Sequence, residues 1–161
     1  MMILRRLALV FGLFCGVAAS QLPEFAQQYR QRLGGALDEL SAIVDQFVSE
    51  AKGAGLDAKG AIAQLEANGD QLVRERGRSM AQTMARRDRL ADQNARMQQA
   101  APLVRLLVFA QSYDSGIASR AWGAFEPAVP TTAEGFATAG AGAVAGYAFL
   151  RGLGAPFRRR R

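Results

Sequence analysis

Residues 131–161, TTAEGFATAGAGAVAGYAFLRGLGAPFRRRR, read as a membrane helix followed by a basic stop. From Gly135 to Leu150 every residue is apolar or small apart from the hydroxyl of Thr138 and the phenol of Tyr147, and the run extends to Ala133 and Leu153. A membrane-spanning helix needs about 20 such residues. Pro127 and Pro130 precede it, and Thr131 with Glu134 three residues on has the spacing of a capping box, so a helix should start there. At the far end Arg151 can reach toward headgroups, and Arg158, Arg159, Arg160 and Arg161 are costly to carry across a bilayer. The expected orientation places this end in the cytoplasm. Within the run Gly142 and Gly146 form a GxxxG, and Gly135, Ala139 and Ala143 form a second small-residue ridge at the same spacing. Such ridges let two helix backbones approach closely, which is how helices associate in lipid. An alanine- and glycine-rich segment also contains this spacing by chance.

The chain opens with a second apolar segment, MMILRRLALVFGLFCGVAAS, in which Arg5 and Arg6 precede an unbroken run from Leu7 to Ala19. A basic start, a short apolar core and a small-residue end describe a signal peptide cleaved near Ala19 or Ser20. Continued to Leu22, the same stretch is an anchor of about 16 residues, about 24 Å long, which is short but workable. On either reading Arg5 and Arg6 stay inside and the segment after the apolar run is translocated. Gly12 and Gly16 form another GxxxG, a candidate partner for the Gly142 and Gly146 face.

The net charge of +6 sits at the two ends, because the segment from Glu24 to Pro130 holds thirteen basic and thirteen acidic residues. A nucleic-acid binder would carry its excess on a folded face, so no nucleic-acid partner is expected. Histidine is absent and Cys15 is the single cysteine, which rules out disulfide frameworks, Cys/His zinc sites and Cys/His catalysis. No cofactor site, metal site, small-molecule substrate site or catalytic constellation emerges. Glu66 with Asp70 and Asp88 with Asp92 have the i, i+4 spacing of paired carboxylates, but without a third ligand or an apolar enclosure they read as surface charges.

Pro23 should end the first apolar helix. From Glu24 to Lys52, Phe25, Tyr29, Leu33, Leu37, Leu40, Val44, Phe47 and Ala51 recur at steps of three and four, a coiled-coil-like stripe with a local interruption at Gly34 and Gly35. Glycines 53, 55 and 60 mark a turn. A second helix should run from about Asp57 or Ala58 to near Ala100, with a weaker stripe of Ile62, Leu65, Leu72, Val73, Met80, Met84, Leu90 and Met97, kinked or frayed at Asn68-Gly69 and Gly77. Its arginines between Arg74 and Arg96 read as a solvated face laced with intrahelical pairs. Leu103 to Phe109 is too short to span a bilayer, and Asp114 should cap a short helix that sets Trp122 and Phe125 at headgroup level or against the hairpin.

The N-terminal apolar run leading into Gln21-Leu-Pro-Glu-Phe-Ala-Gln-Gln-Tyr-Arg-Gln-Arg-Leu33, with the later Pro127-Ala-Val-Pro-Thr-Thr-Ala-Glu-Gly135, resembles domain-of-unknown-function family 2937, a family of small proteobacterial membrane proteins. The resemblance covers most of the chain and implies an inner-membrane protein with apolar segments at both ends. It implies a retained N-terminal anchor and brings no chemistry. The expected fold is all-α: an anchor or signal peptide over 1–22, a periplasmic helical hairpin region over 23–130, a transmembrane helix over 131–153 and a basic cytoplasmic tail over 154–161. Both termini would be cytoplasmic, in the bacterial inner membrane. The expected role is a non-enzymatic scaffold or accessory subunit acting through helix–helix contacts with a protein partner or another copy. The competing expectation is a periplasmic envelope factor with a cleaved signal peptide, tethered by its C-terminal helix.

Overall fold

A helix that the sequence should have ended at Pro23 runs straight through it. In the computed structural model, which describes residues 2–127, 129 and 131–153, α1 extends over Met2–Gly53, 52 residues, with Pro23 inside. Proline cannot donate to the carbonyl four residues back, and in an isolated helix it costs about 3 kcal/mol. Here the flanking turns are tied into tertiary packing, with Ser20, Ala26 and Tyr29 all buried. Gly34 and Gly35 likewise lie within α1, and a side chain at either would meet nothing within 4 Å.

Every regular element among the described residues is helical, as the periodicities imply: after α1 come α2 (Ala58–Glu66), α3 (Gln71–Gln99), α4 (Pro102–Ser112), α5 (Ser115–Gly123) and α6 (Ala133–Leu153). They gather into two compact units, one made of the residues up to Tyr29 with those from Ala100 onward, the other of Arg30–Gln99. Both boundaries fall inside the segment 23–130, so α1 serves the two units in turn.

In the Arg30–Gln99 unit α1 ends in a Schellman turn. Leu56 N–H donates to Ala51 O at 2.9 Å, Gly55 N–H donates to Lys52 O at 3.0 Å, and Gly55 takes φ +75°. That conformation suits glycine because it lacks a Cβ. Asp57 then caps α2, its Oδ1 accepting from Gly60 N–H at 2.7 Å. The single long second helix expected from sequence is instead two. Asn68 Oδ1 accepts from Asp70 N–H, Asp70 Oδ1 accepts from Leu72 N–H, and Arg74 Nη1 donates to both Asn68 O and Gly69 O. These local bonds give the backbone an alternative to the helical ladder, and the chain breaks there. Gly77 is no kink; it is buried where α3 meets α2, with the position of a Cβ only 2.9 Å from Leu65 Cβ. The unit buries Leu33, Val44, Ala51, Ala61, Met80, Leu90 and Met97, most of them on the stripes read from sequence.

In the terminal unit α4 begins at Pro102, and α5 is capped by Asp114, whose Oδ1 accepts from Ile117 N–H at 3.0 Å. Tyr29 is fully buried, and its hydroxyl accepts from Asp114 N–H at 2.8 Å. Phe25 meets the rings of Phe109, Trp122 and Phe125 edge-on at 5.6–5.8 Å between centroids, and Tyr29 packs on Phe109 at 4.9 Å. Edge-to-face pairs of this kind contribute about 0.5–1.5 kcal/mol each beyond area burial. Phe25 and Tyr29, read from sequence as part of a hairpin stripe, thus hold α4 and α5. The cap of α6 is Thr132 in place of Thr131, with Thr132 Oγ1 accepting from Gly135 N–H at 3.1 Å. Pro130, expected to mark this start, lies outside the described residues.

Candidate functional site

Gly12 and Gly16 lie on α1 where it meets Ala139, Gly142, Ala143 and Gly146 of α6. A Cβ built on Gly12 would stand 2.7 Å from Ala143 O, and one on Gly16 would stand 2.8 Å from Ala139 O. From the other side, a Cβ on Gly142 would fall 2.6 Å from Cys15 O and 2.5 Å from Ala19 Cβ, and one on Gly146 would fall 2.7 Å from Cys15 Sγ. Real Cβ atoms do not approach so closely, so the crossing is backbone against backbone and depends on glycine at all four positions. Five of the six small residues singled out from sequence meet in this seam. The sixth, Gly135, is buried one turn before Ala139 and lines a separate polar cavity.

The contacts run in opposite order along the two helices, Gly12 with Tyr147 and Ala143, Gly16 with Ala143 and Ala139, Ala19 with Gly142. The helices are therefore antiparallel. Phe11 faces Phe149 at 6.4 Å between ring centroids, and the same register carried outward sets Arg5 and Arg6 level with Arg151 and the residues just after it. The Arg151 guanidinium lies 5.9 Å from the centre of the Tyr147 ring, a cation–π contact. Arg158, Arg159, Arg160 and Arg161 lie outside the described residues.

Away from the seam the pair is apolar and bare. On α1 Leu13 is 69% exposed and Phe14 68%, with Leu7, Leu9, Val10 and Val17 also exposed; on α6 Val144 is 70% exposed, and Phe136, Phe149 and Leu153 are exposed with it. A soluble protein hides side chains of this size or scatters them singly. Among the described residues only α1 is long and apolar enough to cross a membrane by length and composition, and its apolar window is near the N-terminus. Of the two expected spans, the N-terminal one meets this measure and α6 falls below it. The reason is composition: α6 is 21 residues long, but its five glycines, with Glu134 and Arg151, dilute its aliphatic and aromatic side chains.

The carboxylate pairs are not brought together as sites. Glu66 closes α2 while Asp70 sits in the following turn; Asp88 meets Arg87 at 2.8 Å and Asp92 meets Arg96 at 2.9 Å on the exposed surface of α3. Among the described residues no three Cys, Asp or Glu side chains gather as metal ligands. Two members of the seam escaped the sequence reading, Cys15 and Ala19. Their signal was there: with Gly12 and Gly16 they complete an i, i+3, i+4, i+7 face of small side chains.

The profile of the family described as "Protein of unknown function (DUF2937)" matches residues 3–161, which takes in α1, α6 and everything between. The chain belongs to the DUF2937 family. No curated protein and no solved structure matches it. Both helices of the glycine seam fall inside the DUF2937 match, so the crossing lies within the region by which the family is recognised.

Proposed function

We propose that this DUF2937 protein is a non-enzymatic inner-membrane scaffold or accessory subunit, whose first half of α1 and whole α6 cross the bilayer as one antiparallel pair. The observation that carries the reading is a pair of helices with no bulk between them and apolar side chains all around them. In such a pair the seam needs small residues, and only the outer face needs hydropathy, which accounts for an α6 too poor in large side chains to qualify alone. Arg5, Arg6 and Arg151 at one end, with Arg158 to Arg161 following, favour that end in the cytoplasm by the positive-inside rule. Exposed Leu103, Val104 and Leu107 on α4, and Trp122 on α5, suit the headgroup region at the other end. The Arg30–Gln99 unit, with eleven basic and ten acidic residues, would then stand in the periplasm and meet a protein partner or a second copy through its helix faces.

Reporters fused at each terminus and inserted at Gly55 test the topology. Both ends should read as cytoplasmic and the Gly55 site as periplasmic; an N-terminal reporter released from the chain, or an intact mass matching a start near Gln21, would replace this reading with the cleaved, singly tethered form. In-cell crosslinking tests the scaffold role, and recovery of nothing but monomer would sink it.

A further inference from the structure

Two adjoining cavities of the terminal unit differ sharply in chemistry. The first is a groove of about 630 Å³ flanking the seam, walled by Leu13, Val17, Phe136 and Gly140 over a floor that includes Gly16 and Ala143. It exists because the residues at its base have almost no side chain. Its volume falls within the roughly 300–1,000 Å³ of small-molecule clefts. The second cavity, of about 160 Å³, is lined by Glu24, Gln27, Arg105, Thr131, Thr132 and Glu134. Ser20 and Val129 border both spaces.

We propose that the two cavities together hold one aminophospholipid, an acyl chain in the groove and a phosphoethanolamine headgroup in the polar cavity. An apolar trough that shares a border with a polar chamber matches an amphiphile, and neither half alone explains the other. The charges choose the headgroup. Arg105 is one guanidinium against the two carboxylates Glu24 and Glu134, so a purely anionic headgroup would meet net repulsion, whereas a phosphate beside an ammonium finds both its complements. Arg105 is steadied at the rim by Nη2 donating to Ala100 O at 3.3 Å. The proposal rests on the reading of α1 and α6 as membrane-spanning.

Gly140 supplies the test. It lines the groove, yet a Cβ there would meet nothing within 4 Å, so Gly140→Leu places its side chain in the trough, against the Leu13 and Val17 walls, with no clash at its Cβ, and leucine favours a helix more than glycine does. The full chain, reconstituted in vesicles of equal phosphatidylethanolamine, phosphatidylglycerol and phosphatidylcholine, is released in mild detergent and its retained lipid weighed by native mass spectrometry. One phosphatidylethanolamine should remain on the wild type. Gly140→Leu should lose about tenfold in retention, a factor worth about 1.4 kcal/mol, while Gly152→Leu, another open position outside the groove, should lose none. Glu24→Gln with Glu134→Gln should move the preference toward phosphatidylglycerol. Equal retention of the three lipids, indifference to Gly140→Leu, or a second copy of the chain in place of lipid would each overturn the site. Release of the whole chain from the vesicles would instead remove the membrane reading and the lipid site with it.

Discussion

At the scale of single residues, glycines separate into those whose hydrogen is needed and those where it is wasted. Gly12→Leu or Gly142→Leu must push apart backbones already in contact, at a cost of about 1–3 kcal/mol for overpacking. A bismaleimide crosslink between Phe11→Cys and Phe149→Cys, in a Cys15→Ala background, should fall several-fold in either mutant. Gly34→Ala and Gly35→Ala, where nothing lies within 4 Å, should each stabilise α1 by about 0.5–1 kcal/mol, seen as a higher melting temperature by circular dichroism in detergent. Tyr29→Phe removes the acceptor of the Asp114 N–H at the base of α5 and should cost about 1–3 kcal/mol by the same measurement.

At the scale of elements, the turns and caps decide where helices stop, and they are where sequence and structure diverge most. Asp57→Ala should weaken the start of α2 by about 1 kcal/mol. Gly77→Leu should detach α2 from α3 and raise hydrogen exchange across Ala58–Glu66 while α6 stays protected. The helical content and the turn at Gly53 to Asp57 were legible because apolar periodicity and glycine are local signals. So was the capping role of Asp114. Pro23 misled because its cost is local while the packing of Ser20, Ala26 and Tyr29 that offsets it is not. At Asn68-Gly69 the place of the interruption was legible and its extent was not, since the Asn68 side-chain bond to Asp70 N–H turns the expected kink into a break between α2 and α3. The small-residue ridges were legible as spacing. Which face of α1 they would meet followed from the second GxxxG, but the inclusion of Cys15 and Ala19 needed the register. The aromatic cluster was only half legible, since Phe25 and Tyr29 carry the same spacing whether they face α3 or α4.

At the scale of the whole molecule, the chain should behave as an integral membrane protein despite its neutral, arginine-rich centre. Washing membranes at high pH with carbonate should leave the full chain in the pellet, whereas a chain truncated before Thr131 and cleaved near Gln21 should be released to the supernatant. A chain held only by surface charge would leave with salt, because exposed charges more than about 10 Å apart are screened at 0.1 M.

The antiparallel seam also sets a clock for biosynthesis. Gly142 leaves the ribosome about 130 residues after Gly12; at roughly 5–20 residues per second that is about 6–26 s during which the glycine face of α1 has no native partner. The Arg30–Gln99 unit is complete well before then. A nascent chain stalled before α6 therefore offers an uncovered glycine face to any other helix in the bilayer.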